Sequence, residues 1–143
     1  MKEVEIGKGR ELRKGEDLAI VSIGHIGNYA SKACELLEEE GISVGHYDAR
    51  FVKPIDEELL HTVFKNYSRV ITVEDGCIQG GFGSAVLEFA ADNGYSSKIT
   101  RLGIPDGIIE HGTQDELYHE CGFDTEGIVN AAHKILQTEL QIR

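Results

Sequence analysis

Apolar and polar positions along this 143-residue chain switch repeatedly between two periods. LAIVSIG (18–24) is apolar almost throughout, the pattern of a strand buried on both faces. After Gly27, with Asn28 as the cap, Ala30, Ala33, Cys34 and Leu37 share one helical face; Glu38, Glu39 and Glu40 precede a stop at Gly41. ISVGHYDA (42–49) predicts a second strand. Pro54 turns the chain, and Asp56 caps a helix carrying Leu59, Leu60, Val63 and Phe64. RVITVE (69–74) predicts a third strand, followed by a glycine-rich loop. Phe82, Ala85, Val86, Phe89 and Ala90 then recur at i, i+3, i+4, i+7 and i+8, an amphipathic helix ending at Asn93-Gly94. KITRLG (98–103) predicts a fourth strand, and Thr113 with Glu116 forms a capping box for a helix that closes near Gly122. The last helix starts near Asp124 and gathers Ile128, Ala132, Ile135 and Leu136 on one face.

Strands alternating with helices at these spacings predict a mostly parallel sheet covered on both sides. The expected fold is a three-layer α/β/α domain with about five strands. Residues 1–15 form a leading segment in which GRELRKG (9–15) offers an edge strand, and 16–143 form one domain.

Composition narrows the function more than the fold. Acidic residues outnumber Lys and Arg 25 to 14, for a net charge of −11, which argues against the concentrated basic face of a nucleic-acid binder. No apolar run reaches the roughly 20 residues of a membrane helix, and MKEVEIGKGREL lacks a signal-peptide core. Cys34, Cys77 and Cys121 share no CxxC spacing and read as buried thiols of a reducing compartment, so a cytoplasmic protein is expected. His119 and Cys121 lack the further ligands a zinc site needs.

The loop in EDGCIQGGFGSAV (74–86) raises the question of phosphate binding, since glycine loops between strand and helix commonly cradle one. Gly81-Phe-Gly83-Ser-Ala-Val86 lacks the third glycine of the dinucleotide fingerprint and follows the third strand rather than the first. The lysine of a P-loop is also missing, and Glu74 with Asp75 would repel an anion there. The structural reading is that Gly80, Gly81 and Gly83 let the helix start pack closely on the sheet while Glu74 or Asp75 bonds to its free N–H groups.

The same loop carries a family likeness. VITVEDGCIQGGFGSAVLE (70–88) resembles the strand–loop–helix of the C-terminal domain of transketolase-like, thiamine-diphosphate-dependent enzymes. YDARFVKPID (47–56) resembles that family's D-x-R-x-x-x-P-L-D turn, and CGFDTEGI (121–128) extends the match to nearly the whole chain. LGIPDGIIEHGTQDEL (102–117) is most similar to the 1-deoxy-D-xylulose-5-phosphate synthases, with departures at Gly107, Ile108 and Phe123. The pyruvate dehydrogenase beta subunits instead place a proline-rich segment after the fourth strand.

The resemblance implies the C-terminal part of a larger homodimeric enzyme that condenses pyruvate with glyceraldehyde 3-phosphate, losing CO₂. Thiamine diphosphate and Mg²⁺ would sit between its other domains, held by a GDG…N motif and an activating glutamate that this chain lacks. No catalytic, cofactor-binding or metal-ligating residue is therefore expected here, and the isolated domain should bind neither cofactor nor metal. Its expected partners are the parent's other domains and a homodimer partner, with no nucleic acid and no membrane.

Loops after parallel strands gather at one sheet edge, where α/β domains place function. That edge would collect His25, Asn28, Asp48, Arg50, Lys53, Glu74, Asp75, Asp106 and His111. Arg50, Glu74, Asp75 and His111 are the candidates for tethering loops or domains. Two other readings stay open: the C-terminal part of a split transketolase or a 2-oxo acid dehydrogenase beta-type subunit, and a stand-alone ligand-binding regulatory module.

Overall fold

The computed structural model describes residues 9–23, 27–49, 55–77, 81–104 and 124–141. Five strands, β1 (Arg10–Arg13), β2 (Leu18–Ile23), β3 (Val44–Asp48), β4 (Arg69–Cys77) and β5 (Lys98–Ile104), form one sheet in the order β1-β3-β2-β4-β5. β2, β3, β4 and β5 run parallel, and β1 is an antiparallel edge strand on β3 inside the 9–15 stretch. The helices are α1 (Gly27–Glu39), α2 (Glu57–Asn66), α3 (Phe82–Asp92) and α4 (Thr125–Gln141).

The alternation within β2 divides the core in two. Leu18 and Ile20 pack with Val44, Ile71 and Val73 beneath α1 and α4, through Ala30, Ala33, Cys34, Leu37, Ile128, Ala132 and Ile135. Ala19 and Val21 face the other way, against Leu60, Val63 and Phe64 of α2 and Phe82, Val86 and Phe89 of α3. Two buried faces on one strand explain why it is apolar at every position but Ser22. The α/β/α layering is as the sequence predicts.

Helix ends show what set the boundaries. At the end of α1 the Ile42 amide donates to Leu37 O (3.0 Å) and the Gly41 amide to Glu38 O (2.9 Å), with Gly41 at φ 84°. α3 ends the same way, Tyr95 N to Ala90 O (2.9 Å) and Gly94 N to Ala91 O (3.2 Å), with Gly94 at φ 74°. Both are Schellman closures, in which glycine takes the left-handed position without a Cβ penalty. Ile42 is thereby committed to the helix end, which is why β3 starts at Val44 rather than at 42. α1 begins at Gly27, so Asn28 lies inside the helix and is not its cap. β4 runs three residues past the expected 74, through an irregularity in which Val73 pairs Leu102 and Cys77 pairs Ile104. The capping box at Thr113–Glu116 and the helix expected after it lie outside the described residues.

Candidate functional site: the strand-end edge

The chain lays down β2, steps outward to β3, then returns to place β4 on the other side of β2. The strand order thus reverses between β2 and β4, the place where doubly wound sheets open a crevice at their carboxyl ends. Ile23 and Glu74 pair across that boundary. α3 starts just beyond it, with Gly81 as its N-cap and no side-chain cap of its own.

Glu74 fills the position instead. Its Oε2 accepts the Phe82 amide at 2.7 Å and its Oε1 the Gly83 amide at 2.9 Å, with the residue 4% exposed. Two of the helix's orphan donors are satisfied, one on each oxygen, and the negative charge sits at the positive end of the helix dipole. The anion that a phosphate loop would bind is here supplied by the protein's own carboxylate. Chemically, the pair anchors a helix to a strand end.

Gly83 explains why the two come so close. A Cβ there would lie 2.9 Å from Thr72 Oγ1 and 3.1 Å from Arg101 Cγ. Arg101 crosses the glycine and its Nη1 donates to Ser84 Oγ (3.1 Å). Thr72 Oγ1, fully buried beside Gly83, has no hydrogen-bond partner among the described residues. Gly81 differs: its φ of −95° is open to any residue, so backbone strain at that position is not what selects glycine.

A second polar group lies under α1. His46 on β3 is 2% exposed, with Nε2 2.8 Å from Ser22 Oγ and Nδ1 3.5 Å from Ser31 Oγ. Burial pushes the imidazole down to about 4; Arg13 adds to the shift and Asp48 opposes it. The ring is neutral at pH 7. A Ser–His contact suggests nucleophilic catalysis, but both residues are closed off from solvent, so this pair holds β2, β3 and α1 together. The sequence carries no signal for it beyond one polar residue in an apolar strand. Burial likewise raises the Cys34 thiol to about 11, with Glu38 and Glu35 adding and Arg13 opposing.

Away from this edge, a half-open cavity of about 440 Å³ lies between the leading segment and α2. Tyr47 OH donates to Glu11 Oε1 (3.2 Å), lies 3.1 Å from Tyr67 OH, and Tyr67 OH accepts the Gly15 amide (2.9 Å). These phenols are committed to internal bonds. A side chain at Gly45 would run into Tyr67 OH, which is why β3 carries a glycine there.

Among the sequence-predicted residues, Glu74, Gly81 and Gly83 are brought together at the start of α3. Asp48 sits at the end of β3, 3.6 Å from Arg10 Nε. Asp75 lies within β4, and its side chain is outside the described set, as are Arg50, His111, Gly80, His25, Lys53 and Asp106. Among the described residues, no group of three or more His, Cys, Asp or Glu could hold a metal ion, and no helix is long and apolar enough to cross a membrane.

A mostly parallel sheet of this order with an acid-capped helix after β4 defines a domain class, and a family model matches it. The chain belongs to the transketolase C-terminal domain family, matched over residues 7–128. It is 60% identical over 133 residues to the 1-deoxy-D-xylulose-5-phosphate synthase of Cytophaga hutchinsonii, covering 93% of this chain and 21% of that one. The protein of the same name from Bacteroides fragilis is 54% identical over 135 residues, covering 94% and 21%. That of Aquifex aeolicus is 47% identical over 136 residues, covering 95% and 22%. The chain therefore spans about a fifth of the length of these relatives. A solved structure titled split gene transketolase, inactive beta4 tetramer, superposes with a TM-score of 0.88 at 32% identity, over 95% of this chain and 44% of that one.

Proposed function

We propose that this chain is the C-terminal domain of a thiamine-diphosphate-dependent 1-deoxy-D-xylulose-5-phosphate synthase, and that it supports the dimer and the active-site domains without carrying catalytic residues. The observation that carries the proposal is 47–60% identity to proteins of that name across nine-tenths of the chain. The start of α3 supports the non-catalytic half, because Glu74 occupies a helix end that the strand-order reversal would otherwise offer to a phosphate. Thiamine diphosphate and Mg²⁺ are assigned to the parent's other domains, because this chain's sequence lacks the GDG…N motif and the activating glutamate that the resemblance implies. When bound there, the cofactor supplies the carbanion chemistry of pyruvate condensation. The parent is read as a cytoplasmic homodimer.

At the strand-end edge, Arg50 tethers loops or domains through a forked bond to a carboxylate. Asp75 is the better candidate partner, since Glu74 is committed to α3 on both oxygens. His111 is assigned to the same tethering edge. The split-transketolase reading rests on the solved neighbour, at the lower identity of 32%.

Two experiments test the reading. Titration calorimetry of this chain with thiamine diphosphate and Mg²⁺ should show no saturable heat; micromolar binding would overturn the non-catalytic assignment. Grafting this chain in place of the matching fifth of the Aquifex aeolicus relative should give an enzyme that still condenses pyruvate with glyceraldehyde 3-phosphate. A folded but inactive chimera would sink the synthase assignment.

A further inference from the structure

The leading segment meets the domain at a built joint. β1 is antiparallel to β3, so its first residue lies where β3 ends, with Arg10 paired to Asp48. Gly9 is therefore at the carboxyl edge of the parallel strands, the edge that Glu74 also occupies. The fit there is close: a Cβ on Gly9 would lie 2.5 Å from Asp48 O, 2.7 Å from Leu59 Cδ2 and 3.0 Å from Ala49 Cα. Its amide donates to Asp56 Oδ2 at 2.8 Å. The other oxygen, Oδ1, accepts the Leu59 amide at 3.1 Å and caps α2. Asp56 is 7% exposed.

We propose that Asp56 is a latch that fixes the point where the upstream polypeptide joins this domain, registering it against the strand-end edge. One carboxylate holds two segments 47 residues apart: one oxygen sets the start of α2, the other pins Gly9. A cap alone would need only one oxygen and no glycine pressed against β3. The wider consequence, that other domains of the parent are oriented by this joint, rests on the function proposed above; the latch itself does not, and is tested on this chain alone.

Residue-resolved amide exchange by NMR decides it, using Asp56→Ser and Gly9→Ala. Serine keeps the capping oxygen and deletes the arm to Gly9. Loss of a charge-assisted bond should speed exchange at Gly9 and along β1 roughly 10- to 100-fold. Leu59 and Leu60 amides should keep their protection. Gly9→Ala should speed β1 exchange similarly from the opposite side, and the double variant should be no worse than either single one, as expected of two halves of one contact. Unchanged exchange at Gly9 in Asp56→Ser would make Asp56 a helix cap and nothing more. Exchange rising equally in α2 and β1 would mean general loosening, which also overturns the latch.

Discussion

α2 and α3 lie side by side on one face of the sheet, and each begins at a buried carboxylate. For α2 the acid is Asp56, the residue just before the helix, bonding three positions ahead to Leu59. For α3 it is Glu74, eight and nine residues back on β4, reaching Phe82 and Gly83 with both oxygens. The capping arm of the first is a property of local sequence and would serve any helix; its other oxygen holds Gly9. The second exists only because strand and helix are already packed, and it frees the turn between them to be glycine-rich. A helix that borrows its cap from the sheet cannot come loose from the sheet without losing it.

Variants can break this comparison at either end. The largest effect is expected from Glu74→Ala, which orphans two buried amides and should cost about 3–4 kcal/mol in urea melts. A loss under about 1 kcal/mol would mean water replaces the carboxylate and the remote cap is dispensable.

Acid brings a comparable loss through His46. Its folded pKa lies at about 4, below the ordinary 6.5, so the unfolded chain takes up the proton first. Stability attributable to His46 is full above pH 6.5 and is lost as pH falls toward 4, by up to about 1.4 kcal/mol per unit. His46→Gln should remove that slope relative to wild type between pH 6.5 and 4; an identical slope would mean the ring does not titrate in that window.

Gly83→Val should cost about 2 kcal/mol by driving a side chain into Thr72 and Arg101. Gly81→Val should cost less, because its backbone angles suit any residue. Equal effects would place the close approach in the wrong residue. The smallest change is expected between Asp56→Ser and Asp56→Ala, which both lack the bond to Gly9: loss of the capping oxygen alone should cost about 1–2 kcal/mol, visible as a modest difference in the melting midpoint. Should that difference exceed the loss in Glu74→Ala, the local cap is the stronger of the two, and the contrast drawn between them fails. In a full-length parent, Arg50→Ala should lower melting temperature or dimer affinity and leave KM for glyceraldehyde 3-phosphate within a few-fold. A hundredfold rise in that KM with unchanged stability would make Arg50 a substrate ligand.

What the sequence determined by itself is whatever lies within a few residues. The apolar run of β2, the periodicity of α3, the Asp56 cap and the closures at Gly41 and Gly94 are all written in spacings of one to eight positions, because helix and strand geometry repeat over that distance. The motif segments also carried the family, since they occur in order along the chain. The tertiary structure decided the rest. It chose Glu74 as the acid that caps α3 and put glycine at 83 under Arg101. It set Tyr67 against Gly15 and Gly45, and it buried Ser22 against His46 with Ser31 of α1 at the ring's other nitrogen. Most of these partners lie 15 to 52 residues apart, and the nearest, Glu74 with Phe82, must reach across a turn of the chain. No local pattern encodes such distances; the sheet order fixes them, and the sheet order is set by which apolar faces must share a core.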